Sequence, residues 1–154
     1  MILFCIVFVL RPVPWHDARF LIPLLGMVLG NSVTAVSLSV ERCVTRFRES
    51  RKLIETMLVL GADSQEASLR CFRESVLAGL TPVINQMMVA GIVTLPGMMT
   101  GQILSGIDVS AAVRYQVAIM LLIATSSLIS SVLATKTVLA RHFTADQKLR
   151  MNVD

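Results

Sequence analysis

Charged residues are scarce in this chain. Only 16% of its 154 residues are Asp, Glu, Lys or Arg, whereas 55% are hydrophobic and the mean hydropathy is +0.73. A soluble globular domain normally carries about 25% charged residues. The composition therefore excludes an ordinary water-soluble domain and indicates a membrane protein.

Aromatic residues, cysteine and histidine are also rare. Aromatics make up 5% of the chain, which excludes the base-stacking surfaces of nucleic-acid-binding proteins, so we expect no nucleic-acid partner. The three cysteines form no CxxC pair and predict neither a disulfide framework nor a zinc site. With two histidines and no G-x-x-x-x-G-K-[ST] loop to hold nucleotide phosphates, the chain is predicted to have no enzyme activity and no cofactor.

Three apolar stretches are long enough to cross a bilayer as helices. Residues 20–40 and 115–135 carry no charge, and each covers a hydrocarbon core of about 30 Å at 1.5 Å per residue. A third charge-free run is broken by proline, and we place its helix at 76–96. Residues 1–10 are apolar but too short to cross, and we interpret them as part of a helix that begins upstream. The predicted fold is an all-α, polytopic membrane domain in the C-terminal part of a longer protein.

The basic residues predict the orientation of these helices, because Lys and Arg accumulate in cytoplasmic loops. Seven of them lie in residues 41–75 and four in residues 136–154, against three elsewhere, namely Arg11, Arg19 and Arg114. Two membrane segments separate the two basic regions, so both fall on one side. We predict a protein of the inner (plasma) membrane with a cytoplasmic 41–75 loop and a cytoplasmic C-terminal tail.

The cytoplasmic loop contains a predicted helix–turn–helix elbow. Residues 41–60 contain no Gly or Pro and have apolar positions at near-helical spacing, so they extend the first membrane helix. Gly61 is placed to end that helix in a left-handed conformation. Asp63 and Glu66 have the spacing of an N-cap and its reciprocal partner. A second short helix is then predicted over residues 64–75.

One interpretation of the elbow is that it docks a cytoplasmic partner. Glu55 precedes Gly61 by the spacing of the EAA-x-x-x-G signature with which ABC permeases contact their ATP-binding subunit. Thr56 and Met57 replace the two alanines, and the downstream I-x-L-P part is absent. The alternative is a basic connector that only obeys the positive-inside rule. The predicted coupling residues are Glu55, Gly61, Ala62 and Asp63.

Polar and sulfur-containing side chains in the apolar segments are candidates for a substrate path. Residues 97–114 contain several glycines after Pro96, and we predict an irregular outer or re-entrant loop, which is tolerated at membrane depth only beside protein or a cavity. Amides in hydrocarbon need partners, so they either join helices or line the path. Thioethers suit soft metals such as Cu(I) but more often serve packing. The candidate path residues are Asn31, Asn85, Gln86, Met98, Met99 and Gln102.

Small residues predict close helix contacts. Gly26 and Gly30, like Gly97 and Gly101, have the G-x-x-x-G spacing, for which helix packing is the preferred interpretation. Serine and threonine residues in 125–131 are also expected to hold helices together.

Three strings resemble the FetB/YbbM-type ABC permeases, a family also catalogued as UPF0014. They cover residues 14–42, 53–67 and 82–116, and include GMVLGN and LPGMMTGQ. The resemblance implies an integral membrane subunit that pairs with a separate ATP-binding protein. In bacteria it implies iron export and resistance to oxidative stress, and plant relatives include the membrane subunit of an aluminium-tolerance ABC complex. Family members carry additional helices at the N-terminus.

The preferred hypothesis is therefore a permease subunit of an ABC transporter, exporting a metal ion such as iron. Its expected partners are an ATP-binding subunit on the 41–75 loop, the lipid bilayer and further copies of the permease. A non-transporting membrane scaffold or regulatory subunit is the alternative. A third hypothesis is a small self-assembling channel, which is supported only by the Ser/Thr face of the last membrane segment.

Overall fold

The computed structural model describes residues 18–91 and 96–142 of the chain, and these residues form helices joined by short turns. The helices are α1 (Ala18–Glu49), α2 (Arg51–Val59), α3 (Ser64–Val89), α4 (Gly97–Leu104) and α5 (Val109–His142). This part of the chain contains no β-strand. The all-α prediction is confirmed. The predicted partial helix at 1–10 and the tail beyond His142 lie outside the described residues.

α1 contains the predicted membrane segment 20–40, and α5 contains the predicted segment 115–135. Each helix extends past both ends of its segment. α1 continues past residue 40, as expected, but it ends at Glu49 instead of running to residue 60. A single residue, Ser50 (φ −94°, ψ 5°), separates it from α2. The Ile54 amide still donates to the Ser50 carbonyl at 2.9 Å, so the chain keeps its helical bonding across this break. α5 continues into the predicted tail and ends at His142.

α3 is one continuous helix where the sequence predicted two. It runs from Ser64 to Val89 and thus joins the predicted elbow helix 64–75 to the predicted membrane helix 76–96. The helix ends at Val89 and not at residue 96. Pro82 lies inside α3. A proline lacks the amide hydrogen that an interior helix position donates, and helices in membranes tolerate this loss when neighbouring groups satisfy the freed carbonyl.

The prediction of an irregular loop over residues 97–114 is wrong for residues 97–104, which form α4, and for residues 109–114, which begin α5. Pro96 is extended (φ −60°, ψ 134°), and its carbonyl accepts the first helical bond, from the Thr100 amide at 3.1 Å. Proline cannot continue a preceding helix but is well suited to the start of a new one. Gly106 has a left-handed φ of +83° after the end of α4. The glycines therefore accompany a short helix and the turn that follows it.

Two helical segments are long and apolar enough to cross a membrane among the described residues. They are Ile22–Glu49, with mean hydropathy 1.5, and Val109–His142, with mean hydropathy 2.2. Only 22% of each apolar window is buried, whereas the core helix of a soluble protein is mostly buried. The charge-free part of α3 runs from Ser75 to Val89, about 22 Å of helix. This length is shorter than a bilayer core, so the third membrane segment remains a prediction.

The chain divides into two compact units. Of the described residues, the first unit contains 18–32, 82–91 and 96–127, and the second contains 33–81 and 128–142. Apolar side chains of α1, α3 and α5 form the core of the first unit. Its buried members are Leu24, Val28, Val83, Ile119, Leu122 and Ile123.

The core of the second unit holds the elbow helix. Ile54 is the buried residue of α2, and it packs with side chains from α1, α3 and α5. Phe47 also contacts the ring of His142, with ring centroids 4.6 Å apart. The buried members of this core are Cys43, Phe47, Ile54, Ala67, Cys71 and Leu139.

Small residues allow close contact between helices in the second unit. A methyl group added at Gly79 of α3 would collide with the Ser39 hydroxyl and would lie 2.7 Å from the Ala35 carbonyl, both in α1. It would also lie 3.2 Å from the β-carbon of Ser131 in α5. Only glycine fits at this position, because helix backbones approach each other here.

Candidate functional site

The turn after α2 has the geometry that the sequence predicts for an elbow. Gly61 adopts a left-handed φ of +91°. Its amide donates to the Leu58 carbonyl at 3.1 Å, and the Ala62 amide donates to the Met57 carbonyl at 3.0 Å. These two bonds form a Schellman motif, which satisfies carbonyls that the end of a helix leaves free. Glycine is required because a β-carbon disfavours this backbone conformation.

The next helix begins at a partly confirmed cap. The Asp63 carboxylate accepts a hydrogen bond from the Ser64 amide at 2.8 Å, and the Asp63 carbonyl accepts the first helical bond, from Ala67 at 3.0 Å. Glu66 forms no reciprocal bond with the Asp63 amide in the described structure. The capping prediction is therefore correct for Asp63 and wrong for Glu66. The negative charge of Asp63 at the N-terminus of α3 also interacts favourably with the helix dipole.

α2 has one buried side and one apolar side that is open to its surroundings. Ile54 is 1% exposed and Leu58 packs against the same core, whereas the other apolar side chains of α2 and its C-cap are exposed. These exposed side chains are Leu53 (54%), Met57 (38%), Val59 (87%) and Leu60 (81%). Exposed apolar groups next to charged ones are typical of a protein interaction surface. We call α2 together with residues 60–63 the elbow surface.

Charged side chains surround the elbow surface. Glu55 pairs with Arg51 one turn earlier, with 3.0 Å between the Arg51 Nε and a carboxylate oxygen. Glu74 of α3 lies between two arginines, 2.6 Å from Arg46 and 3.2 Å from Arg70. The hydrogen bond from Arg70, with the positive charge of Arg46, lowers the pKa of Glu74 below its usual value of 4.5. Glu74 thus connects α1 and α3 in the second unit.

The first unit contains a cavity of about 110 Å³ with a mixed lining. Val83, Ile119 and Ile123 of the core form its apolar part. Amide and thioether side chains also line it, together with Pro96 and Gly97 at the start of α4. The amide and thioether residues are Met27, Asn31, Gln86, Met87, Gln116 and Met120. We call this space the amide–thioether pocket.

Two amides in the amide–thioether pocket are arranged to present oxygen atoms. The Asn31 side-chain nitrogen donates to the Met27 carbonyl at 2.8 Å. A carbonyl can only accept a hydrogen bond, so this contact fixes which end of the Asn31 amide is the nitrogen. The Gln116 side-chain oxygen is buried and has no hydrogen-bond partner in the described structure. A buried acceptor without a partner is costly, which makes it a candidate ligand-binding atom.

Comparison with known families identifies the chain. A profile of the uncharacterised protein family UPF0014 matches residues 1–143. The chain belongs to the UPF0014 family. It is therefore an all-α membrane protein, as its composition and apolar helices indicate.

Several UPF0014 relatives are similar over most of this chain. It is 40% identical over 146 residues to UPF0014 membrane protein slr1647 of Synechocystis, which covers 95% of the chain and 56% of that protein. It is 34% identical over 113 residues to the probable iron export permease protein FetB of Escherichia coli, and the match covers 73% of this chain and 44% of FetB. It is 29% identical over 135 residues to Protein ALUMINUM SENSITIVE 3 of Arabidopsis thaliana, covering 88% and 50%. The chain spans about half the length of the curated relatives it matches. No solved structure matches it.

The structure brings together only some of the predicted path residues. Asn31 and Gln86 line the amide–thioether pocket, whereas Asn85 is exposed and outside it. Met98 packs against the core of the first unit. The remaining two, Met99 and Gln102, are half-buried in α4 and do not line the pocket.

The structure leaves open space beside the α-carbons of the predicted packing glycines. A methyl group added at any of them would meet no atom within 4 Å, and the residues concerned are Gly26, Gly30, Gly97 and Gly101. Their role in helix packing stays a prediction. Ser126 does join two helices as expected, because its hydroxyl lies 2.9 Å from that of Ser32.

Sequence reasoning missed Gly79 and most of the amide–thioether pocket. Gly79 lies in no G-x-x-x-G pair, but Ser75 and Gly79 place two small residues one turn apart on α3, and this spacing could have indicated it. Gln116 and Met120 are likewise one turn apart in α5. Met27 could have been found from its position one turn before Asn31.

Proposed function

We propose that this chain is part of the permease subunit of an ABC transporter in the inner (plasma) membrane, and that it exports a metal ion such as iron. A separate ATP-binding subunit would supply the energy by docking on the 41–75 loop. The observation that carries this proposal is the elbow surface, which combines a preformed turn with exposed apolar side chains on a UPF0014 membrane protein.

The shape of the elbow surface supports docking. Gly61 turns the chain sharply after α2, so that Leu60 projects beside the turn with 81% of its surface exposed. An apolar side chain in this position is suited to a groove on a partner, where burial stabilises the complex by about 25 cal/mol per Å². Glu55 and Asp63 on the same surface add polar contacts that select orientation.

The attachment of α2 supports coupling. Ile54 is inserted in the core of the second unit between residues of the three long helices, including Phe47, Cys71 and Leu139. Closely packed interiors transmit displacement because they have little free space. Movement of α2 by a closing partner would therefore shift these helices as rigid bodies, which is a common basis of alternating access.

Charge distribution supports the orientation. The elbow lies in the residues 41–75 that carry seven of the fourteen Lys and Arg residues, and we assign this loop and the C-terminal tail to the cytoplasm. ATP is available on that side of the membrane. The name of the Escherichia coli relative, a probable iron export permease, supports a metal ion as cargo.

Co-purification of the whole permease with its ATP-binding subunit tests the proposal. Leu60→Asp places a charge on the elbow surface, and Leu104→Asp is the matched control because Leu104 is similarly exposed, at 84%, outside the elbow. We expect Leu60→Asp to abolish co-purification and Leu104→Asp to retain it, with equal unfolding temperatures for both. Retention by Leu60→Asp would contradict docking at the elbow.

Transport assays separate the permease from the alternative, a scaffold or regulatory subunit. The permease proposal expects ATP-dependent export of metal from cells that carry the whole protein, and expects Leu60→Asp to lose it. Binding of the ATP-binding subunit without any transport would favour the scaffold.

A further inference from the structure

We propose that a groove between α3 and α5 binds an anionic phospholipid at the surface of the membrane. The groove has a volume of about 400 Å³, and all the residues that line it belong to the second unit. Ligand pockets in proteins commonly measure roughly 300–1,000 Å³, so this space is large enough for part of a lipid molecule. We call it the interface groove. The proposal concerns the membrane setting of the chain and does not depend on transport.

One part of the interface groove is apolar. It is lined by Leu69 and Phe72 of α3 and by Leu139 and Ala140 of α5. Phe72 and Leu139 pack in the core of the second unit, whereas Leu69 remains 47% exposed. The groove thus has an apolar wall that the rest of the described chain does not cover. Such a wall suits a lipid acyl chain, because contact between the two reduces their exposure to water.

Lys136 gives the interface groove a positive charge. Among the residues that line the groove it alone is charged, and it forms no ion pair with any described residue. Gln65 also lines the groove, and its side-chain amide can donate hydrogen bonds. The acidic residues at the start of α3, Asp63 and Glu66, lie outside the lining. An unpaired ammonium group with an amide donor in the same groove is complementary to a phosphate, and basic pockets between membrane helices bind lipid headgroups.

The position of the interface groove along its two helices favours a lipid over a soluble anion. Lys136 directly follows the charge-free residues 115–135 of α5, which are about as long as a bilayer core is thick. Phe72 lies three residues before Ser75, where the charge-free part of α3 begins. Both helices therefore change from charged to charge-free sequence beside the groove. Lysine side chains at this level extend to the headgroups while their methylene groups contact apolar surface.

Fluorescence quenching by brominated lipids tests the site directly. Trp15 is the one tryptophan of the sequence, so Trp15→Phe with Leu69→Trp leaves a single reporter in the groove of the full chain. The protein is placed in phosphatidylcholine nanodiscs that contain a small fraction of brominated phosphatidylglycerol, or of brominated phosphatidylcholine for comparison. The control reporter is Trp15→Phe with Leu133→Trp, because Leu133 is 60% exposed on α5 and lies outside the groove. We expect the anionic lipid to quench the tryptophan at position 69 more than random mixing predicts, and the tryptophan at position 133 as random mixing predicts.

Substitution of Lys136 tests the role of its charge. Lys136→Gln in the groove reporter should reduce the preference for phosphatidylglycerol over phosphatidylcholine by about fivefold, the effect of one cation at a membrane surface. Lys136→Arg should retain the preference. Arg114→Gln is the matched control, because Arg114 is also exposed and lies at the other end of the same charge-free run. Equal quenching by the two lipids, or an equal loss with Lys136→Gln and Arg114→Gln, would overturn the proposal.

Competition with inorganic phosphate separates a lipid headgroup from a free anion. Excess phosphate, compared with sodium chloride at equal ionic strength, should leave the quenching of the groove reporter unchanged because phosphate has no acyl chain. Displacement of the brominated lipid by phosphate would identify a soluble anion as the ligand and overturn the lipid assignment. The assay involves neither ATP nor a partner, and Leu60 lies outside the groove, so its failure would leave the elbow proposal intact.

Discussion

The two units of the chain differ in the room they leave around their small residues. In the second unit, Gly79 lies so close to Ala35 and Ser39 that no β-carbon fits. In the first unit, a methyl group at Gly26 or Gly30 would meet no atom within 4 Å, and a cavity of about 110 Å³ remains. The contrast concerns these glycines only, because the second unit also has an open cavity of about 400 Å³, beside Ser68, Phe72 and Leu139.

Gly79→Ala is expected to have the largest effect on this comparison. The added methyl would collide with Ser39 and the Ala35 carbonyl, and overpacking of this kind costs about 1–3 kcal/mol. Gly26→Ala is the control, because it meets no atom and should keep or raise the free energy of unfolding. Denaturant unfolding of the purified chain in detergent measures both. Equal destabilisation by the two variants would show that Gly26 packs against another chain and would remove the contrast between the units.

Gly61→Ala should come next. No atom lies near the added methyl, so the cost arises from the left-handed backbone alone and amounts to about 1–2 kcal/mol. Gly61→Asn should lose less, because asparagine tolerates this conformation better. The same unfolding assay gives the free energies. If Ala and Asn prove equivalent, the left-handed turn is not what fixes the elbow.

The hydrogen bond between Ser32 and Ser126 should contribute less. It is half-buried in the first unit at 2.9 Å, and interhelical bonds of this type average about 0.6 kcal/mol in membrane proteins. A double-mutant cycle with alanine at both positions isolates its coupling energy. A parallel cycle of Ser32 with the exposed Ser37 should give none. A coupling several times larger would show that the first unit is held more tightly than its cavity indicates.

Glu74→Gln should have the smallest effect, because its charge is partly in water. The pKa of Glu74 is lowered in the folded chain, so its ion pairs stabilise the fold above the unfolded value and the gain is lost as pH falls through the folded value. The variant should therefore be less stable than wild type at pH 7 and approach it well below pH 4.5. Glu66→Gln is the control, since Glu66 has no ion pair in the described structure. A pH-independent difference between Glu74→Gln and wild type would exclude the ionic explanation.

The sequence predicted the features that depend on local chemistry. Gly61 and Asp63 were identified because a helix end and a helix start follow from neighbouring residues alone. The all-α class followed from long runs without charge. The start of α3 at Ser64 was predicted from Asp63, but its continuation past residue 75 and its end at Val89 were not, because no residue near 75 signals that the helix continues.

Features that require several helices escaped prediction for a physical reason. The close contact at Gly79 needs Ala35 and Ser131 on two other helices, and one sequence does not state which faces meet. The amide–thioether pocket combines residues distant in sequence, so only Asn31 and Gln86 were found, as isolated amides in apolar stretches. Polarity within an apolar run was a usable signal, whereas methionine was ambiguous.

The Schellman turn at Gly61 also bears on the thermodynamics of association. Its hydrogen bonds are already formed within the chain, through Leu58 and Met57, so a partner would not have to order this segment on binding. The entropy lost would then come mainly from the side chains of the surface itself. Calorimetry of the complex should accordingly give a negative heat-capacity change in proportion to the apolar area of Leu53 and Leu60 covered, without the larger change that accompanies folding on binding.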